Sequence, residues 1–166
     1  MVIKEIAERR SVRDFKTDMV SEENIIEIVK AAQFAPTSTN NKSVEFVIVK
    51  NQEMKSKICD AAIPKQQFVN EAPVLIIPAI DTKKSVLPFQ DLSIASENIF
   101  IQASEFGLGS VWKNLTLDQA DRIKRMLNIP ESYLMINIIP IGYPKNKTEP
   151  HDEADFSKNK IHYEKW

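Results

Sequence analysis

The chain has 166 residues, 43% of them hydrophobic and 27% charged, with a formal net charge of -1. That length suits a single domain over residues 1–166 with its own core, and the near-neutral balance gives no global attraction to nucleic acid or an anionic membrane. Three glycines, one cysteine and two histidines exclude a glycine-rich phosphate loop, a disulfide within the chain and a multi-cysteine or His-rich metal site.

Lys4, Glu5 and Glu8 interrupt the apolar residues of the N-terminus, so no signal-peptide core is read there. The longest apolar run, about Val74 to Ile80, is far short of the roughly 20 residues of a membrane span. A cytoplasmic location is expected.

Val2, Ile3, Ile6 and Ala7 are spaced for a first helix. A second starts at Ser21 as N-cap, carries the stripe Ile25, Ile28, Val29, Ala32 and stops before Pro36. The polar loop Thr37 to Lys42 follows. Phe46 to Val49 is apolar at every position, which predicts a strand covered on both faces. Helices are expected around Met54 to Ala62 and Gln66 to Glu71. Val74 to Ile77 reads as a second buried strand, with Pro78 limiting its pairing on one side. The strongest helix runs from about Phe89 to Phe106, with Leu92, Ala95, Ile99, Ala103 and Phe106 in one stripe. Gly107 is placed as its left-handed cap. Ser110 to Trp112 reads as extended. Thr116 with Gln119 matches a capping box for a helix through Leu127. Ile136 to Ile139 is a third strand. The polar tail ends His162-Tyr163-Glu164-Lys165-Trp166, an aromatic end that a partner subunit would bury. The order predicts an α+β fold in which helices cover a small mixed sheet.

Three stretches could carry chemistry. Arg9-Arg10-Ser11-Val12-Arg13 puts three guanidiniums and a hydroxyl within five residues, a donor set suited to phosphate. Arg9 and Arg13 share a face if the first helix continues. The plainer reading is a solvated helix end pairing with Glu5, Glu8 and Asp14. Ala35 to Asn40 offers hydroxyls and an amide to the polar edge of a planar ligand, or is simply a loop of turn formers. Gly107 to Trp112 is either a ligand-facing segment or a helix cap followed by a core tryptophan. Cys59 has apolar neighbours in a helix and reads as a buried structural thiol rather than a nucleophile. No nucleophile elbow accompanies His151 or His162.

Ile6 to Phe15, with Arg9-Arg10-Ser11-Val12-Arg13 at its centre, resembles the opening signature of the nitroreductase family of FMN-dependent oxidoreductases. Ala35-Pro36-Thr37-Ser38-Thr39-Asn40 is similar to its second signature. Ala72 to Ile76, Gly107 to Trp112, Ile141 to Pro144 and the ending His162 to Trp166 follow in the family's order. The resemblance implies a nitroreductase-like fold and a domain-swapped homodimer with FMN at the subunit interface. Arg9, Arg10, Ser11 and Arg13 would hold the FMN phosphate and part of the ring's polar edge. Pro36, Thr37, Ser38 and Asn40 would reach the flavin of the other subunit, and Trp112, Lys113 and Asn114 would lie beside the ring. Gln66 or Gln67 would touch the ring edge.

Three departures stand out. Asn41-Lys42-Ser43-Val44 replaces a stretch that often carries Gln-Pro and a tryptophan. Lys113-Asn114-Leu115 replaces a segment that is often glycine-rich. No arginine follows Arg125, where a late arginine commonly completes the phosphate site; His151, Lys158 and Lys160 are the candidates to replace it.

The activity implied is hydride transfer from NAD(P)H through bound FMN to a nitroaromatic, quinone or similar oxidised acceptor, with ping-pong kinetics and no metal. No side chain is required as nucleophile or general base, in keeping with a chain so poor in histidine and cysteine. Two other classes remain open at this stage. A flavin-binding protein for FMN storage or sensing would hold FMN that reduced nicotinamide does not bleach. A small interaction module would stay colourless after FMN is added.

Overall fold

The computed structural model describes residues 2–166. Helix α1 covers Lys4–Glu8 and α2 Glu22–Gln33, whose Ser21 hydroxyl caps the Asn24 N–H. Strand β1 is Val44–Val49, α3 Gln52–Ala61 and α4 Phe68–Glu71. Strand β2 is Val74–Asp81 and α5 Pro88–Glu105. The chain continues through β3, Gly109–Ser110, β4, Lys113–Asn114, and α6, Leu117–Met126, with the Thr116/Gln119 capping box formed. It ends with β5, Tyr133–Leu134, β6, Asn137–Gly142, and a tail with two short 3-10 turns.

The sheet runs β1-β2-β6-β3, with β4 paired to β6 and β5 to β2. All these ladders are antiparallel; the parallel pairing is the single bridge from Ser11 to Ser110. The expected α+β layout is therefore present, with its parallel component reduced to that bridge.

Side chains alternate across β2 and divide the core in two. Leu75 and Ile77 pack with α3, α4 and α6 through Ile58, Val69 and Ile123. Val74, Ile76 and Ile80 pack with α2 and α5 through Ile25, Ile28, Leu92 and Ile99. Each of the largest of these side chains contributes roughly 1.5–3 kcal/mol by leaving water.

Pro78 does not end β2. The β6 ladder stops at Ile76 and the β5 ladder starts at Ile80, so the residue without an N–H falls in the gap between them. Strand β1 differs from expectation. It is an edge strand, and only Val44 and Val49 at its ends are buried. A continuous apolar run does not distinguish a central strand from an edge whose outer face is half covered.

Gly107 has φ +67°, and its N–H and that of Leu108 close on the carbonyls of Ser104 and Ala103, ending α5 in the expected left-handed cap. Cys59 is buried, as expected. Among the described residues no helix is long and apolar enough to cross a membrane.

Candidate functional site

Helix α1 ends at Glu8, so the arginine cluster is extended. This corrects the expectation that Arg9 and Arg13 share a helical face. Extended backbone puts neighbours on opposite sides, so Val12 is buried between exposed Ser11 and Arg13; Phe15 is buried at a second, separate bridge to Pro144. Val12 N–H donates to the Ser110 carbonyl at 3.0 Å and Lys16 N–H to the Tyr143 carbonyl at 2.8 Å. Gly109 makes the close approach possible, because a Cβ there would lie 2.6 Å from the Val12 Cβ. The arginines are thus carried on a rigid sheet edge.

None of the three arginines pairs with a carboxylate among the described residues. Glu8 pairs with Lys4 at 3.7 Å, and Asp14 with Lys145 at 2.7 Å. The reading of this cluster as a self-neutralised helix end is thereby removed. Arg9 and Arg10 line a hollow with Glu8, Ser104, Ser110 and Lys147. Arg13 lines a second cleft with Gln66, Phe68, Trp112, Lys113 and Asn114. Ser11 stands exposed in the chain between the two.

The second cleft is built from four elements. Arg13 comes from the N-terminal segment, its guanidinium 6.0 Å from the Phe68 ring centroid, at the outer limit of cation–π attraction. Trp112 leans on Phe100 with centroids 6.3 Å apart, and its Nε1–H donates to Asn114 Oδ1 at 3.4 Å. Lys113, in β4, is buried. Gln119 of α6 closes the floor, donating from Nε2 to the Ile63 carbonyl. Of the two glutamines, Gln66 lines the cleft, whereas Gln67 is the N-cap residue of α4. Gln119 and Phe68 were not anticipated; Gln119 was visible only as half of a capping box.

The loop Pro36 to Asn40 lies elsewhere. Thr37 lines a hollow with Phe34, Lys42 and Val44, and no residue of the loop lines either arginine-bearing hollow. Thr39 and Asn40 both have φ +55°, which turns the loop outward. Ser38 is committed inward, donating from its N–H and hydroxyl to Asp91 at 2.7 and 2.8 Å. Asn41 Nδ2 and Ser85 Oγ donate to the same carboxylate at 2.9 and 2.6 Å. Burial pushes the Asp91 carboxyl up; the hydrogen bonds from Ser85, Asn41 and Ser38 outweigh it and hold the group below the ordinary carboxylate range. Asp91 was missed because an aspartate in the first turn of a helix reads as a dipole effect.

Of the three candidates to replace the late arginine, His151 is the one beside the cluster. Its N–H donates to the Ala7 carbonyl at 2.8 Å, and its ring contacts Arg10 at 2.9 Å. Lys158 and Lys160 sit in an exposed 3-10 turn. Tyr163 and Trp166 pack on no core of their own chain; Trp166 is fully exposed and stacks only on His162, centroids 4.3 Å apart.

A family model described as the nitroreductase family matches residues 6–67 and 61–143. A Methanothermobacter thermautotrophicus protein, provisionally named NADH dehydrogenase/NAD(P)H nitroreductase, is 36% identical over 170 residues, covering 99% of this chain and 87% of that one. An FMN reductase [NAD(P)H] of Bacillus subtilis is 24% identical, over 89% of this chain and 67% of that protein. Among solved structures, an FMN-dependent nitroreductase from Clostridium difficile superposes with a TM-score of 0.93 at 29% identity, covering 99% of this chain and 100% of that one. The chain, carrying its arginines where the opening signature places them, belongs to the nitroreductase family.

Proposed function

We propose that the chain is an NAD(P)H-dependent oxidoreductase that binds FMN and works as a homodimer. Bound FMN would supply the redox chemistry, taking hydride from NAD(P)H and returning it to a nitroaromatic, quinone or similar oxidised acceptor that uses the same slot, in ping-pong order. The observation that carries this reading is the row Arg9, Arg10, Ser11, Arg13, fixed on a sheet edge with none of its guanidiniums in a salt bridge among the described residues. Guanidiniums at one end suit a phosphate, and an acid-free cleft with Trp112, Lys113, Asn114 and Gln66 at the other suits a planar, acceptor-rich ring. The residues therefore fit the group.

Arg9 and Arg10 would hold the phosphate, with Ser11 as a further donor. Arg13, Trp112, Lys113 and Asn114 would position the ring. Pro36, Thr37 and Asn40, turned away from their own chain's cleft, would serve the ring held by a second copy, with Ser38 anchoring the loop on Asp91. The exposed N-terminal Val2, Ile3 and Ile6, with the tail aromatics, supply apolar surface for that assembly. The protein's part is binding, orientation and electrostatics; the cleft's side chains need transfer no proton.

A visible absorbance spectrum tests this directly, taken before and after anaerobic NADH or NADPH. A flavin spectrum bleached by either donor is expected. Bound flavin that neither donor bleaches would favour storage or sensing instead. Protein that stays colourless after FMN is added would overturn the reading.

A further inference from the structure

Lys113 is a lysine whose side chain is mostly covered while its ammonium, which has no hydrogen-bond partner among the described residues, keeps access to the cleft. Its residue is 7% exposed, and its place opposite Ile138 in the β4–β6 ladder sets it at the wall of the cleft. The other buried lysine shows what this chain does when a lysine is only structural. Lys55 donates to the Ala72 carbonyl at 2.6 Å, and burial lowers its pKa. Lys113 has no such acceptor and no carboxylate partner among the described residues. No acidic residue lines its cleft, and Arg13 adds a second positive charge.

A lysine that covers its stem and leaves its ammonium at a cleft presents its charge there. A cleft with two cations and no anion is therefore complementary to negative charge that arrives from outside the chain. We propose that Lys113 stabilises the extra negative charge the bound ring acquires on reduction, and so sets its reduction potential. This rests on the FMN reading above. Hydride transfer moves two electrons and one proton from NAD(P)H, released as NAD(P)+, to the ring, whose net charge falls by one. A preorganised ammonium gains most where charge develops in a water-poor site. Trp112 and Phe68 supply apolar surface to the same cleft.

The test compares wild type, K113M and K113R, each loaded with FMN. Methionine keeps the length and removes the charge; arginine keeps the charge. Affinities for oxidised and for reduced FMN are measured separately, together with the potential of the bound cofactor. K113M is expected to bind oxidised FMN within about threefold of wild type, and reduced FMN about 10- to 100-fold more weakly. That ratio corresponds to a potential lower by ~30–60 mV. K113R is expected to restore most of it. Equal loss of both redox forms, or an unchanged potential in K113M, would overturn the proposal. So would a K113M whose only defect is a raised KM for acidic acceptors, which would make Lys113 an acceptor-binding residue. Wild type that binds no FMN would instead sink the FMN reading, leaving the two failures distinguishable.

Discussion

Arg10 and His151 are 141 residues apart in the chain, and Arg10 Nη1 lies 2.8 Å from His151 Nδ1 and 2.9 Å from Nε2, against the imidazole as a whole. Nδ1 is also 2.7 Å from Asp155 Oδ2. The hydrogen bond from His151 holds the Asp155 carboxyl below its ordinary range. Three residues from opposite ends of the sequence thus form one chain of contacts beside the hollow lined by Arg9, Arg10 and Lys147.

His151 contacts Arg10 and is proposed to orient it, taking the part expected of a late arginine. His151→Ala is expected to weaken FMN binding by about 3- to 10-fold, the loss of one modest hydrogen bond. His151→Arg is expected to match or exceed wild-type affinity. Fluorescence titration of the apoprotein with FMN reads both. An alanine variant with unchanged affinity would leave Arg10 oriented by its own packing.

The phosphate end and the ring end are expected to respond differently to substitution. Arg9→Ala removes a charge-assisted contact worth roughly 1.5–3 kcal/mol and should weaken FMN binding by about 10- to 100-fold. It should leave the potential alone, because the phosphate charge is the same in both redox states. Asn40→Ala removes a neutral hydrogen bond worth about 0.5–1.5 kcal/mol, so its affinity loss is smaller, and it should shift the potential. Redox titration of both variants at saturating FMN distinguishes them. A potential that moves in Arg9→Ala and stays in Asn40→Ala would reverse the two roles.

The elements with strong local signals were legible: α2 from Ser21 and its stripe, α6 from its capping box, the end of α5 from Gly107. What was hidden is long-range. Nothing local says that residues 9–13 leave the helix; that follows from Val12 and Phe15 being drawn into the core and from Gly109 admitting Val12. Asp91 looks like any first-turn acid until Ser38, Asn41 and Ser85 are folded onto it. The two-residue strand β5 has no pattern of its own, and Ile80 and Asp81 recruit it. The candidate site residues were nominated by type and order; their division between two hollows and an outward loop was not legible.

Asp91 gives the loop a pH dependence. Its carboxylate is 2% exposed, and its folded pKa lies below the ordinary value. A carboxyl with a depressed folded pKa stabilises the fold fully above its unfolded value of about 4, and that contribution disappears as pH falls through the folded value. Asp91→Asn should therefore cost about 1.5–3 kcal/mol at neutral pH, with a smaller difference from wild type in acid. Urea unfolding at neutral and acid pH measures it. A difference that grows on acidification would show that the carboxylate is not what Ser38, Asn41 and Ser85 need.

The tail makes the assembly testable. Ile161, Tyr163 and Trp166 are exposed on the single chain, and an isolated protein gains nothing by holding such side chains in water. If they exchange between two copies, dimer stability depends on them and on protein concentration. In the proposed dimer the loop Pro36 to Asn40 serves the other copy's cleft, so assembly and FMN binding are expected to fail together. Deleting Ile161 to Trp166 should give monomer or insoluble protein, and any soluble monomer should have lost FMN. Sedimentation velocity with detection at flavin and protein wavelengths follows both at once. A full-length chain that sediments as a monomer with FMN fully bound would end the homodimer proposal and return the tail aromatics to some other partner.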